Sequence, residues 1–223
     1  MAFDYVIKLS KRKTLALKVN KKGEVIVAAP MRCSKRTIKN FVDSNTHWIE
    51  KTLLKVEIYQ QKSEPKKYVV GELFFFKGEE YPLIFIDDIK DVTLTQNALQ
   101  VPIHHKPPSK MIYNWYRDNA SEAIMEAIDI QSEKVGLYPE KVIVSKMRSS
   151  WGTCSCKKRV SIAWRLIMAP PEVLNYVVIH ELAHLKHLNH SKKFWSLVQE
   201  YCPDFKEHKK WLKEHGAYLH FDF

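Results

Sequence analysis

The segment VIHELAHLKHLNHSKKFW, residues 178–195, contains four histidines and a glutamate within eleven positions. Side chains four residues apart lie on the same face of an α-helix, so His180 and His184 could bind one metal ion. Glu181 follows His180 directly, and its carboxylate could reach a water molecule on that ion without being a ligand. His190 could supply a third imidazole, because the asparagine before it can end the helix and let the chain turn back. The HExxH spacing therefore predicts a three-histidine metal site, one open coordination position and a glutamate general base.

The residues around this motif predict the helix that would carry it. Pro170 and Pro171 suit the first turn of a helix, and Glu172 suits its positively polarised N-terminal end. Apolar residues then recur at helical spacing, at Val173, Val177, Leu182 and Leu185. The first half of this helix is apolar on nearly every side, which is typical of a helix inside a core. Buried histidines need polar partners there, and a metal ion would supply them.

Metal-assisted hydrolysis also needs a group that stabilises negative charge on the substrate oxygen in the transition state. The residues that the sequence offers for this role, or for orienting a ligand, are Arg148, Arg165, Tyr176 and His187. Glu200 lies on the helix expected after His190 and could accept a hydrogen bond from a ligand imidazole. The sequence leaves the choice among these residues open.

Segments outside the histidine motif add a resemblance to a known family. They are LALKVNKKGEVIVAAP at 15–30, RSSWGTCS at 148–155, SIAWRLIMAPPEVLNYVVIHELAHL at 161–185, NHSKKFW at 189–195 and PDFKEHKKWLKEHG at 203–216. Along most of the chain, these segments resemble the YgjP-like metallopeptidases. That resemblance implies a zinc-dependent hydrolase of minimal gluzincin type, related in its helix pair to the SprT-like proteases. It also implies that His180, His184 and His190 are zinc ligands and that Glu181 is the general base.

The chain departs from the family pattern at two positions. Thr153 stands where the family usually has the serine of WGSC, which is a conservative change. Ala163 stands where an asparagine is common, and this change is not conservative. If that asparagine orients substrate in relatives, residue roles near this strand do not transfer, whereas the metal site is unaffected.

Hydrophobic periodicity predicts an α+β fold. A β-rich N-terminal region, residues 1–101, contains a hairpin around KKGE that ends at Pro30 and one long helix that begins after Ser34. Three prolines within seven residues predict a linker at 102–110. Residues 111–223 then form a compact zincin-like domain, in which a helix and the strands KVIVSKM and RVSIAWRLIM precede the HExxH helix. An edge strand of this small sheet could pair with an extended peptide.

Composition limits the class of protein. The chain has 223 residues, of which 45% are hydrophobic, so it can bury a full core as one domain or two small ones. It has no apolar run of eighteen residues and no N-terminal signal pattern, so we expect a cytoplasmic protein without membrane association. Four cysteines, two of them in a CxC pair at 154 and 156, fit free thiols in a reducing compartment.

Positive charge is concentrated in the N-terminal region. Residues 1–67 contain 16 lysines and arginines against 6 acidic residues, a net charge of +10, whereas residues 68–223 contain 20 against 19, a net charge of +1. Such an excess could form a face for the phosphates of a nucleic acid or a nucleotide. The residues we expect on this face are Lys11, Arg12, Lys13, Arg32, Lys35 and Arg36.

Three functions remain open from the sequence. The first is a zinc metallopeptidase that acts on polypeptides, because three imidazoles favour Zn²⁺, with Ni²⁺, Co²⁺ or Mn²⁺ as substitutes. The second is a metal-dependent nucleoside triphosphate pyrophosphatase, which the basic N-terminal region favours. The third is a nucleic-acid-associated protease or module with a structural zinc, although a structural site usually has four protein ligands. The sequence does not indicate the oligomeric state.

Overall fold

The computed structural model describes residues 4–20, 22–62, 65–103 and 106–220. The chain forms two compact units, Met1–Glu64 and Pro65–Phe223, each with its own hydrophobic core. Both units combine helices with small sheets, so the α+β class is confirmed. Among the described residues, no helix has both the length and the apolar character needed to cross a lipid bilayer.

The first unit packs two helices on a three-stranded sheet. Strands β1 (Tyr5–Ser10), β2 (Ala16–Val19) and β3 (Val25–Pro30) have the order β1-β3-β2, with β1 parallel and β2 antiparallel to β3. The β2–β3 pair is the hairpin expected around KKGE. Alternate residues of β3 are buried and meet apolar residues of the helices α1 (Lys35–Ser44) and α2 (Thr46–Lys62).

The single long helix predicted after Ser34 is interrupted at Asn45. The backbone N–H of this residue donates to the carbonyls of Val42 and Asp43, and its side chain donates to the carbonyl of Phe41 at 2.7 Å. Asparagine competes well for backbone groups in this way and so favours the end of a helix. Hydrophobic spacing continues across the break, which is why the pattern alone predicted one helix.

The second unit begins with a four-stranded sheet and a long helix. Strands β4 (Leu73–Phe76), β5 (Glu79–Ile86), β6 (Thr93–Leu94) and β7 (Leu99–Pro102) have the order β4-β5-β7-β6. Helix α3 (Pro108–Val135) starts with proline, where a missing N–H costs nothing, and ends at Gly136 with φ of 71°. Its buried face, which includes Ile112 and Ile124, joins the core of this unit.

A second, three-stranded sheet supports the histidine motif. Strands β8 (Lys141–Ser145), β9 (Gly152–Cys154) and β10 (Arg159–Ala163) have the order β8-β10-β9, with β8 parallel and β9 antiparallel to β10. Helix α4 (Pro171–Ala183) packs against β9 and β10, so the expected packing of the HExxH helix on a small sheet is confirmed. Helices α5 (Lys192–Tyr201) and α6 (Phe205–His215) follow.

The strand predicted over RVSIAWRLIM is too long. It ends at Ala163, and Trp164–Met168 form a fully buried 3-10 helix. Two carbonyls of this 3-10 helix accept hydrogen bonds from the turn between β4 and β5. The N–H of Lys77 donates to the carbonyl of Ile167 at 2.8 Å, and the N–H of Gly78 donates to the carbonyl of Met168 at 3.1 Å. Tertiary contacts therefore decide the local structure of a segment whose apolar run fits a strand equally well.

The two compact units divide between Glu64 and Pro65, whereas the sequence predicted a boundary at 102–110. Residues on both sides of that segment share one core, in which Leu99 and Val101 of β7 lie with Ile112 and Tyr116 of α3. The proline-rich segment is therefore a connection inside the second unit. His104 and His105, which it contains, lie outside the described residues.

Candidate metal centre

Local hydrogen bonding places the three histidines at the end of α4 and the start of α5. His180 lies in the last turn of α4, and His184 is its C-cap. The chain then turns through hydrogen bonds from the N–H groups of residues 185–187 to the carbonyls of Leu182 and Ala183. Ser191 caps α5 by accepting a hydrogen bond from the N–H of Phe194 at 3.4 Å, which leaves His190 directly before the new helix.

This turn brings three imidazoles together. Of the described residues, His180, His184 and His190 form a group whose ligand atoms all lie within 4.8 Å of one another. The Nε2 atoms of His180 and His190 are 3.1 Å apart. Two nitrogens bound to one tetrahedral zinc at Zn–N of about 2.05 Å would be about 3.3 Å apart. The donor set thus fits a single ion of this size.

Desolvation lowers the pKa of two of these imidazoles, those of His180 and His190. Desolvation lowers the pKa of His180 to about 3, and the positive charges of protonated His184 and His190 and of Lys209 oppose its protonation further. Desolvation also lowers the pKa of His190, again with contributions from His184 and Lys209. Because only a neutral imidazole has a lone pair to donate, both rings are available to a metal ion near neutral pH.

The Nδ1 atoms of two cluster histidines, His184 and His180, also bear on metal binding. The Nδ1 of His184 donates to the backbone carbonyl of His187 at 3.0 Å, which fixes the ring and leaves Nε2 free. His187 thus acts through its backbone and is not part of the ligand group. The Nδ1 of His180 is buried and has no hydrogen-bond partner among the described residues. Such a group costs free energy, which a bond between the same ring and a metal ion would offset.

Glu181 follows His180 in α4 and is buried. Only 5% of the residue is exposed, and burial raises the pKa of its carboxyl group to about 7. The backbone of β9 passes directly over it: a Cβ atom on Gly152 would lie 2.6 Å from the Cγ and Oε1 of Glu181. Only glycine permits this approach. Gly152 belongs to the RSSWGTCS segment, but nothing in the sequence linked it to Glu181.

Aromatic rings form one wall of the site. The ring of Phe194 lies 4.9 Å from that of His180, 4.5 Å from that of His184 and 4.7 Å from that of His190, measured between centroids. Trp195 stacks on His190 at 5.6 Å with 28° between the planes. The sequence pattern assigned both residues to an ordinary core. The structure adds that they contact the rings of the histidine cluster.

The family profile described as a YgjP-like metallopeptidase domain matches residues 13–215. The chain belongs to the YgjP-like family. It is therefore a metal-dependent hydrolase of the metallopeptidase class, and the family resemblance seen in the sequence is confirmed.

Other comparisons add little to this assignment. A solved structure, that of the metallopeptidase zymogen of Pyrococcus abyssi abylysin, is 23% identical to this YgjP-like chain and covers 41% of it and 93% of its own length, with a TM-score of 0.37. A TM-score this low supports no argument about fold or activity. Comparison with curated proteins gives no significant match.

The remaining candidates of this YgjP-like site differ in their positions. Tyr176 is 5% exposed, one turn before His180, with 6.0 Å between the ring centroids. Arg165 is buried in the 3-10 helix, and its guanidinium lies 4.6 Å from the ring of Trp164. Arg148 is exposed in the loop between β8 and β9. Glu200 is exposed on α5 and, among the described residues, makes no hydrogen bond to a ligand histidine.

The six basic candidates belong to the first unit. Five of them are exposed, namely Lys11, Lys13, Arg32, Lys35 and Arg36, whereas Arg12 is half-buried. Lys35 and Arg36 lie in the first turn of α1, which contains no acidic residue. The positive end of the helix dipole therefore adds to their charge.

One residue near the cluster was not among the sequence candidates. The positive charge of Lys209 on α6 contributes to the lowered pKa of both His180 and His190. Its Nζ lies 4.7 Å from the centroid of the Trp195 ring. No periodic pattern relates a residue on α6 to a motif that ends before α5, so this contact could not be predicted from the sequence.

Proposed function

We propose that this YgjP-like chain is a zinc-dependent peptidase in which His180, His184 and His190 bind the ion and Glu181 is the general base. The observation that carries this proposal is the convergence of three imidazoles within 4.8 Å, next to a buried carboxyl group that is outside the ligand set. Three neutral imidazoles suit Zn²⁺, and Ni²⁺, Co²⁺ or Mn²⁺ could replace it. Three protein ligands also leave a coordination position for catalysis.

The chain supplies the proton transfers. When bound, the metal ion would polarise the attacking water and the substrate carbonyl. Glu181 accepts the proton from the water and later returns it to the leaving amine. A pKa of about 7 suits both roles, because the carboxyl group is then available in its charged and its neutral form at neutral pH. Burial beneath Gly152 shields this carboxyl group from bulk water.

The position of β9 supports a polypeptide substrate. β9 is the edge of its sheet, and among the described residues it pairs only with β10. It also lies against α4 next to Glu181. An extended peptide could pair with the free side of β9 and so present a backbone carbonyl to the metal centre. This mode of binding is specific for polypeptides, which is why we prefer a peptidase to a triphosphate pyrophosphatase.

A hydrogen-bond donor to the substrate oxygen completes the proposal. Tyr176 is supported by its place one turn before His180 and by burial, which raises the pKa of its hydroxyl to about 12. At this pKa the hydroxyl stays protonated at neutral pH and can donate.

Metal analysis and cleavage assays on the same protein samples test these roles. We expect one zinc per chain in the wild type and in Glu181→Gln, with turnover of an unfolded protein substrate reduced about 10²- to 10⁴-fold in the variant. His190→Ala should lose the metal, whereas His47→Ala, an exposed histidine of α2, should keep it. Retained activity in Glu181→Gln would rule out Glu181 as the general base.

A second substrate separates the proposed function from its rival. Nucleoside triphosphates are offered to the same samples with Zn²⁺, Mn²⁺ and Mg²⁺. Triphosphate cleavage that depends on Mn²⁺ or Mg²⁺, without peptide cleavage, would replace the peptidase by a pyrophosphatase. The cytoplasmic location and the nucleic-acid contact stay predictions.

A further inference from the structure

A row of stacked rings extends from the third histidine. The ring of Trp195 stacks on His190, with centroids 5.6 Å apart, and on Phe205, with centroids 5.3 Å apart and 22° between the planes. Trp195 belongs to the first turn of α5, and Phe205 begins α6. We call His190, Trp195 and Phe205 the aromatic row. It joins the metal centre to a helix that carries no candidate ligand.

Two lysines of α6 lie over this row. The Nζ of Lys209 is 4.7 Å from the centroid of Trp195, and the Nζ of Lys206 is 5.9 Å from that of Phe205. The two lysines are three residues apart and therefore share one side of the helix. An ammonium group over an aromatic face is attracted by the negative face of the ring, even at an exposed site. This contact positions the charge without neutralising it.

Both lysines are exposed on α6, whose first turn also contains Glu207. In the described part of the chain, neither Lys206 nor Lys209 forms an ion pair with a carboxylate. Further exposed lysines lie close to the histidines in the chain, namely Lys186 after α4 and Lys192 and Lys193 at the start of α5. Glu181, which follows His180 in the chain, is buried.

Lys209 lies next to the ligand cluster through Trp195. Its Nζ is 4.7 Å from the centroid of the Trp195 ring, and that ring stacks on His190 with centroids 5.6 Å apart. Three neutral imidazoles would not compensate the charge of a divalent ion bound between them. This side of the site therefore favours a negatively charged group and repels a positive one.

We infer that Lys209, held over Trp195, forms a subsite for a carboxylate of the polypeptide substrate. The peptidase then prefers substrates that place an acidic side chain, or the C-terminal carboxylate, beside His190. This inference rests on the proposed function, because it needs a peptide bond at the metal centre. Lys209 selects the substrate in this scheme and takes no part in the proton transfers.

Matched peptides test the subsite on the zinc-loaded, full-length protein. One set has amidated C-termini and carries Glu, Gln or Lys at each position near the cleaved bond. Another keeps Gln throughout and has a free C-terminal carboxylate. We expect the wild type to cleave one Glu peptide, or the free-carboxylate peptide, with kcat/KM about fivefold above its neutral match, mainly through KM. The set in which the preference appears identifies the source of the carboxylate.

Charge reversal assigns the preference to one lysine. Lys209→Glu should favour the Lys peptide at that same position, whereas Lys210→Glu, an exposed neighbour without a contact to the aromatic row among the described residues, should keep the wild-type preference. Equal zinc content in all three proteins shows that the metal centre is intact.

The possible results are distinct. If wild type and Lys209→Glu both cleave all peptides at equal rates, the proposed carboxylate subsite is wrong, whereas the proposed peptidase function is still supported. A different set of results would assign the subsite to phosphate. In that case the wild type cleaves all peptides at equal rates, a nucleoside triphosphate inhibits cleavage competitively, and Lys209→Glu abolishes this inhibition. The carboxylate assignment would then be wrong. A zinc-loaded wild type that cleaves no peptide overturns the proposed function and this inference with it.

Discussion

Glu181 links the chemistry of the site to the stability of the protein. Burial raises the pKa of its carboxyl group from 4.5 to about 7. Below pH 4.5 the group is protonated in the folded and the unfolded chain, so it has no net effect. As pH rises towards 7, the unfolded chain releases the proton while the folded chain retains it, and the fold loses stability. Above pH 7 the loss is complete, and it amounts to at most about 3 kcal/mol.

The metal-free Glu181→Gln variant should not show this loss, because glutamine is neutral at every pH. We expect the free energy of unfolding of the variant, relative to wild type, to increase by up to about 3 kcal/mol between pH 5 and pH 8. Denaturant unfolding in the presence of a chelator measures this difference, and the titration of the histidines cancels because both proteins share it.

Glu200→Gln provides the matched control for this pH experiment. Its carboxyl group is exposed on α5, so its removal should give a curve parallel to that of wild type. If Glu181→Gln also ran parallel to wild type, then Glu181 would be ionised normally, and its role as a base with a raised pKa would be lost.

At the residue scale, local spacing predicted that the three histidines lie together, as they do in the structure. The intervals between His180, His184 and His190 are set by one helical turn and a short loop, both of which are local features. Gly152 and Lys209 could not be found in this way. They reach the site through the packing of β9 on α4 and of α6 near α5, and no sequence interval encodes those contacts.

At the element scale, the close approach of β9 and α4 predicts a specific effect of Gly152→Ala. The added methyl group would lie 2.6 Å from the Cγ of Glu181, so the edge strand or the carboxyl group must move. A displacement of about 1 Å at a catalytic group can reduce the rate about 10²-fold. We expect such a decrease in kcat/KM with zinc content unchanged, because the three histidines belong to α4 and the turn after it.

Thr153→Ala is the control for this strand. The side chain of Thr153 is exposed and points to the opposite face of β9, so its removal should leave kcat/KM close to wild type. Full activity in Gly152→Ala would show that β9 is free to move away from Glu181. The close approach would then have no catalytic consequence.

The elements themselves were predicted wherever one periodicity was clear. The hairpin and α4 each combine a regular apolar pattern with a turn or start signal, namely KKGE in the hairpin and Pro170 and Pro171 before α4. The break at Asn45 and the 3-10 helix at Trp164–Met168 were missed. In both cases the apolar pattern continues through the change, which only specific hydrogen bonds reveal.

At the scale of the whole molecule, composition placed the boundary in the most proline-rich segment. The structure divides the chain at Glu64 instead, because the core of the second unit includes strands on one side of that segment and α3 on the other. Prolines indicate a connection, but only packing shows whether the elements that it joins share a core.

The first unit, Met1–Glu64, carries most of the positive charge of the chain. It has 14 lysines and arginines against 6 acidic residues, a net charge of +8. We predict that the full-length protein binds double-stranded DNA weakly through phosphate contacts of this unit. Affinity should then fall steeply between about 50 and 200 mM salt, with a slope set by the number of phosphates bound. Binding measured across this range by fluorescence anisotropy tests the prediction.

Charge reversal tests whether Lys35 and Arg36 contribute to this predicted binding. Lys35→Glu with Arg36→Glu should weaken binding and reduce the salt slope by about 0.9 for each phosphate that the variant no longer neutralises. Acidic residues are favourable in the first turn of a helix, so this variant should not unfold α1. Lys110→Glu with Lys141→Glu changes the net charge equally, at exposed positions of the second unit, and should leave binding near the wild-type value. If both pairs weakened binding equally, net charge alone would explain the affinity, whereas an affinity independent of salt would exclude phosphate contacts altogether.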